Sequence, residues 1–216
     1  MNHPWAVHVL TIAFIFLPTC PALAAHDNSV RTDLNFKYQH NEIFRTVSYV
    51  FFQWNEDVSN YNYTEQALGL LAQTPISWLS FLLYYQQAYS EDSSGEWLLE
   101  VKPSLNLNTT FFFHRARISN QIRYEYRFTP EWDDYRIKNT MGISWPRVFL
   151  RPAALWELFY EHHDHGVVLH RFKISIDKKI NDNYSLGPFY RLDFSRTDSH
   201  WALSRQCFGF QVTINY

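Results

Sequence analysis

Residues 116–128 read ARISNQIRYEYRF, and the direction in which the two faces of this segment look decides the fold. Ile118, Ile122, Tyr124, Tyr126 and Phe128 fall on one side, and Arg117, Ser119, Gln121, Arg123, Glu125 and Arg127 on the other. Successive side chains of an extended chain point to opposite faces, so this period of two marks a strand with one apolar and one charged face. The period recurs in DLNFKYQ (33–39), EWLLEVKPSLNL (96–107), YRIKNTMGISW (135–145), VVLHRFKISIDK (167–178) and YSLGPFYRLDF (184–194). Stretches 47–54, 67–73, 78–89 and 153–161 alternate less cleanly and read as strands with bulges. A period of 3.6 persists nowhere beyond the first 24 residues, so the chain is all-β.

The first 24 residues read differently. VLTIAFIFL (9–17) is too short for a membrane helix, which takes roughly 17–25 residues, and it is followed by Pro18, Pro21 and the small-residue stretch ALA at 22–24. This is the pattern of a secretory signal peptide over residues 1–24, leaving residues 25–216 as one domain. Cleavage there leaves a single cysteine, Cys207, so a disulfide scaffold is excluded. A net charge of −2 argues against general nucleic-acid binding. Nineteen per cent of residues are aromatic, yet mean hydropathy is below zero. Two opposed faces, one greasy and one ionic, satisfy both facts.

Periodicity alone does not say which face is inside. In a soluble β-sandwich or lipocalin-like binding protein the apolar face is the core, whereas in a membrane barrel it meets lipid. Segments of about ten residues match the 9–11 a tilted strand needs to cross a bilayer and exceed the 5–6 usual in soluble sheets. Trp54, Trp97, Trp145, Tyr184 and Trp201 stand near segment ends, where an interfacial girdle would place them. Tight connections (HN, TPIS, NDN) alternate with longer polar ones (NEDVSNYNYT, SEDSSGE, TPEWDD, HHDHG, SRTDSHW). The expected fold is an antiparallel up-and-down transmembrane β-barrel. Eleven segments are visible, but single-chain bacterial barrels have an even number of strands. Ten is the expectation, with 33–39 left out of the wall; twelve is the alternative.

The last residues, FGFQVTINY (208–216), alternate to the end: Phe208, Phe210, Val212, Ile214 and Tyr216 are apolar. This terminus resembles the C-terminal signature of Gram-negative outer-membrane proteins, in which the final aromatic strand is recognised by the barrel assembly machinery. RARISNQIRYEYRF, LRPAALWELFYE and VVLHRFKISIDKKINDNYSLGPFYRL resemble successive strands of an outer-membrane family of unknown function, DUF twenty-four ninety. The likeness covers roughly the second half of the mature chain. It implies a barrel in the cell outer membrane, with outer-membrane lipids and lipopolysaccharide around it, and it brings no catalytic residues.

The face predicted to line the lumen carries Arg117, Arg123, Arg127, Arg136, Lys138, Arg171, Lys173 and Arg191 against Glu100, Glu125, Glu157, Asp177 and Asp193. Charges in a narrow interior must pair, and a wide aqueous channel needs about 16–18 strands. The expectation is a narrow or plugged barrel serving small-solute transport or envelope maintenance, with a basic constriction for small anions as the sharper alternative. YEHHDHG (160–166) offers His162, His163 and His165 as weak metal candidates. A short run supplies too few convergent ligands, so no metal or other cofactor is expected. A lipid-modifying hydrolase is the enzymatic alternative. It needs a nucleophile beside a base; no His-x-Ser occurs, and nothing selects among His114, His170 and His200 with Ser119, Ser175 or Ser195. The chain is expected not to be an enzyme.

Overall fold

The computed structural model describes residues 27–55, 60–91, 95–130, 133–164, 166–197 and 200–216. The signal-peptide segment 1–24 lies outside the described residues. Eleven strands follow in order: β1 (Asp27–Gln39), β2 (Phe44–Asn55), β3 (Asn60–Gln73), β4 (Leu79–Glu91), β5 (Trp97–Phe113), β6 (Ala116–Phe128), β7 (Asp133–Ser144), β8 (Leu150–Glu161), β9 (Gly166–Lys179), β10 (Tyr184–Thr197) and β11 (His200–Asn215). Each pairs with its neighbours in sequence, and β1 closes on β11 to complete a barrel.

Two expectations about this wall need correction. The first concerns number. Segment 33–39 is not left out: it belongs to a 13-residue β1, and the barrel has eleven strands among the described residues, not ten or twelve. With an odd count the closing pair must be parallel, and β1 runs parallel to β11 from Asp27↔Arg205 to Lys37↔Asn215 while the other ten pairs are antiparallel. The second concerns the connections. The runs read as long polar loops at 60–64, 133–134 and 195–197 are strand, so strands reach 12–17 residues. Connections then span two to five residues at both ends. The polar stretches stand on backbone that continues the ladder past the greasy part of the wall.

The end of the barrel that holds Tyr216, the near end, is built from compact turns. In HNEIF, Asn41 Oδ1 accepts the backbone N–H groups of Ile43 and Phe44 at 2.9 and 2.7 Å. In INDNY, Asn181 Oδ1 does the same for Asn183 and Tyr184 at 2.9 and 2.8 Å. Such Asx geometry lets a side chain stand in for a backbone turn. The last strand is tied on both sides to its final residue. Tyr216 N–H donates to Lys37 O, Gln39 N–H donates to Tyr216 O, and Asn215 N–H donates to Asn183 O, each at 2.8 Å.

Register shows which face is inside. Arg123, Glu125 and Lys102 look inward, with Lys102 and Glu125 each only 2% exposed. On the opposite parity Leu68 and Leu83 are each 61% exposed. The apolar face of ARISNQIRYEYRF looks out: Ile118, Ile122, Tyr124, Tyr126 and Phe128 are all exposed. The interior is ionic and the exterior is greasy.

Candidate functional site

The lumen is where charge, aromatic rings and a cavity converge. Its far half, away from Tyr216, carries a network of ion pairs. Lys102 Nζ lies 2.5 Å from Glu65 Oε2 and 3.6 Å from Glu100 Oε2. Glu65 also accepts the hydroxyls of Tyr49 and Tyr63, and Gln86 Nε2 donates to Tyr49 Oη at 2.8 Å. Arg127 bridges Glu100 and Glu161, the latter at 3.0 Å. Glu125 receives Arg136 at 2.6 Å and Arg123 at 3.3 Å. Lys138 sits 2.5 Å from Glu157, which Arg171 reaches at 3.4 Å. Arg171 grips Asp193 with two parallel bonds of 2.8 and 3.0 Å, the fork geometry that guanidinium and carboxylate favour. Arg31 and Lys173 share Asp33.

All thirteen charged residues assigned to the lumen from sequence occupy the inward parity of their strands. Eleven of them join this network, Arg191 through Asp193 Oδ1 at 3.2 Å. Asp177 accepts Gln211 Nε2 at 2.7 Å, and Arg117 stands at the near-end rim opposite Phe112 and Ser144. Glu65, Arg31, Arg205 and the tyrosine pair Tyr49 and Tyr63 were not singled out in the sequence. Strands β2 and β3 hide Glu65, Tyr49 and Tyr63, because Val47, Tyr49 and Phe51, then Ala67, Gly69 and Leu71, make the inner face as apolar as the outer one, while Arg31 and Arg205 lie just outside the alternating stretches 33–39 and 208–216.

Inward aromatics are themselves held by cations. The Arg31 guanidinium lies 3.3 Å from the Phe51 ring centroid, Lys173 Nζ lies 3.8 Å from that of Phe189, and Lys138 Nζ lies 4.9 Å from that of Phe159. A ring face attracts a cation with about 0.5–2 kcal/mol. Glycine leaves room for one of these rings, since a Cβ at Gly209 would sit 2.1 Å from Phe189 Cζ, and Gly142 leaves room in the same way for the Leu155 side chain, whose Cδ2 would lie 2.6 Å from a Cβ there.

The near half of the lumen is filled. Val47, Ala67, Leu82, Ser80, Asn106 and Phe189 point inward at those levels, and each is at most 9% exposed. Above them, in the far half, lies a cavity of about 510 Å³. Arg31, Asp33, Glu65, Lys102, Arg123, Arg191 and Arg205 are among its lining residues. The interior is therefore a charged cup with a packed floor.

The fold is similar to that of the anion-selective porin from Comamonas acidovorans, at 12% identity and a TM-score of 0.40. The match covers 80% of this chain and 55% of the porin, so the chain spans about half the length of that protein. No protein-family model matches the sequence, and no curated protein does.

The histidine-rich run does not converge. His162 Nδ1 pairs with Tyr135 Oη at 2.8 Å, the His163 N–H donates to Asp134 Oδ2 at 3.4 Å, and His165 lies outside the described residues. Among the described residues no three His, Cys, Asp or Glu side chains are grouped to hold a metal. His170 looks outward against the Trp201 ring while Ser175 faces the lumen, and the Ser195 hydroxyl donates to Ser204 Oγ at 2.8 Å.

The C-terminal residues Phe208, Phe210, Val212, Ile214 and Tyr216 share the outward parity, opposite inward Cys207, Gly209 and Gln211. Val212 is nevertheless 5% exposed, lying between Leu34 and Leu186 in the register. The Tyr216 and Tyr184 hydroxyls meet at 2.6 Å where the greasy wall ends.

Proposed function

We propose that this chain is an integral β-barrel of the bacterial outer membrane, secreted behind its signal peptide, with a lumen closed at the near end and cupped at the far end. The observation that carries the reading is the inversion of faces. Leu68, Leu70, Leu83, Leu105 and Ile122 form an exposed apolar belt, while Lys102, Glu125 and Arg191 are buried inside. In water this arrangement wastes the hydrophobic effect; in hydrocarbon it is the stable one, because a closed barrel leaves no backbone group unpaired in lipid. The resemblance of 115–128, 150–161 and 167–192 to the DUF twenty-four ninety family supports the same location, and the aromatic C-terminal strand supports delivery through the barrel assembly machinery.

Within that membrane the role is non-enzymatic. The packed floor under the cup favours a closed barrel of the envelope over an open pore, since ions would have to pass Leu82 and Asn106. The test has two parts. On gels, folded protein in detergent migrates differently before and after boiling; identical mobility rejects the barrel. In planar bilayers, the protein gives no stable unitary current; a steady conductance of porin size rejects the closed floor.

A further inference from the structure

We propose that the near end of the barrel is a docking surface for anionic phospholipid headgroups, built by its five turns and the unpaired cations beside them. This rests on the membrane-barrel reading and adds the lipid chemistry to it. The cations of the far half are mostly consumed by the buried network. Those of the near end are not. Lys37, Arg45, Arg117 and Arg151 face inward within two residues of a strand end, while Arg115, Arg147 and Lys178 stand on turns or on the outer face. Among the described residues none of these seven closes on a carboxylate: Arg151 only faces Asp177 across the register, and Lys179, paired with Asp182, is the exception at this end. The seven meet Glu42, Asp177 and the terminal carboxylate of Tyr216, which leaves four positive charges over. Connections 40–43, 74–78, 114–115, 145–149 and 180–183 are all described, and residues 1–26 hold no Lys, Arg, Asp or Glu, so this balance is complete. Unlike the ions of the lumen, these are within reach of a ligand: Lys37, Arg115, Arg117, Arg147 and Lys178 are exposed.

The turns say what that ligand is. In or beside each of the five stands an apolar side chain, Ile43, Ile76, Phe113, Phe149 or Ile180, from 47 to 71% exposed. Trp78 stacks on Phe111 with centroids 5.5 Å apart, and Lys178 Nζ lies 5.2 Å from the centroid of the Phe149 ring. Turns in water are polar, whereas apolar side chains with Lys and Arg beside them make up the composition of a membrane–water interface. The turns come at every second strand junction from β1 to β10, so the pattern runs around the circumference. A protein partner would cover one arc of it; a lipid leaflet surrounds all of it. Headgroups with no net charge would leave the four cations uncompensated. Anionic phosphodiesters complete them, and guanidinium groups match such oxyanions in shape as well as charge.

The folded chain in vesicles of phosphatidylcholine mixed with phosphatidylglycerol tests this. One lipid at a time carries dibrominated acyl chains, and quenching of tryptophan fluorescence gives the relative association of the two; Trp78 and Trp145, both exposed, report from the near end. Phosphatidylglycerol is expected to associate about threefold or more strongly, and the preference is expected to vanish at about 1 M salt, where charges are screened beyond about 3 Å. Arg115→Gln, Arg117→Gln and Arg147→Gln together are expected to bring the two lipids to parity, and Arg196→Gln at the far end is expected to leave the preference intact. The salt dependence is read on the unaltered protein, so the result does not hang on a variant's folding. Equal association of the two lipids, a preference that survives salt or the triple variant, or equal loss with Arg196→Gln overturns the proposal. So does abolition by sodium phosphate at matched ionic strength, which would make the ligand a free anion. Quenching by neither lipid sinks the barrel reading beneath, while equal quenching by both sinks the docking surface alone.

Discussion

Replacing Lys102 with methionine asks whether the lumen is dry. Lys102 Nζ lies 2.5 Å from Glu65 Oε2, and the residue is 2% exposed. Two unit charges at that distance attract by about 7 kcal/mol at an effective dielectric of about 20. Most of this offsets the cost of taking both ions out of water, so the pair's net value is small, but removing one partner leaves the other charged and buried at a cost of about 3–5 kcal/mol. Glu65 would keep the hydroxyls of Tyr49 and Tyr63, each hydrogen bond to a charged group contributing roughly 1.5–3 kcal/mol. The expected loss for Lys102→Met is therefore near the lower bound, about 3 kcal/mol. Glu65→Gln costs less, about 1–2 kcal/mol, because Lys102 still has Glu100 at 3.6 Å. The double variant is expected to recover about 2 kcal/mol relative to the sum of the single losses. Reversible guanidinium unfolding in detergent, followed by tryptophan fluorescence, reads all three. Lys179→Met at the exposed turn pair Lys179–Asp182 is the control and leaves the midpoint where it was. A loss under about 1 kcal/mol for Lys102→Met, as at water-exposed pairs, would mean that water from the cup solvates the pair and would refute its being held dry.

Further outcomes probe other parts of the wall. Leu83→Arg, at a side chain 61% exposed on mid-strand β4, is expected to cost about 2–4 kcal/mol in a bilayer, as a cation at the hydrocarbon midplane does; a change within about 0.5 kcal/mol would place that face in water. Gly209→Ala is expected to destabilise by about 1–3 kcal/mol in the same unfolding assay. Phe189→Ala restores only part of that loss, because the new Cβ would also lie 2.6 Å from Arg31 O. Tyr216→Ala, which removes the terminal ring and its 2.6 Å contact with Tyr184, is expected to lower the amount of heat-modifiable protein in isolated outer membranes; an unchanged yield would remove the assembly role of that residue.

The sequence makes plain the strands whose two faces differ. β6 reads at sight because Arg117, Arg123, Glu125 and Arg127 alternate with Ile118, Ile122, Tyr124 and Tyr126, and the same contrast carries β9 and β10. Most of the charged network follows from parity alone, since a residue two positions from Arg123 must share its face. β2 and β3 do not read this way. Their inner faces hold Val47 and Ala67 in the floor of the cup and Phe51 on its wall, and apolar residues on both faces erase the period. Glu65 was lost for that reason, although it accepts three donors in the buried network. Nor does spacing reveal which cation meets which acid: Lys173 finds Asp33 across 140 positions of chain, a meeting created only when the sheet closes.

That closure explains why the barrel keeps an odd strand. A ten-strand barrel lacking β1 would have to pair β2 with β11 directly, and every backbone group would still be satisfied, so hydrogen bonding alone does not call for the eleventh strand. What β1 adds is its inner face. Asp33 is 8% exposed and supplies the carboxylate for Lys173, and Arg31 covers the Phe51 ring. Without β1, Lys173 would keep the neutral Gln211 side chain at 2.9 Å and the Phe189 ring, and would lose its carboxylate partner. A buried cation stripped of its partner costs several kcal/mol, more than the slight disadvantage of parallel over antiparallel pairing. The interior thus gives the eleventh strand its use: β1 brings the Arg31–Asp33 pair, which partners Lys173 and covers Phe51, and the wall closes through a parallel pair to hold it.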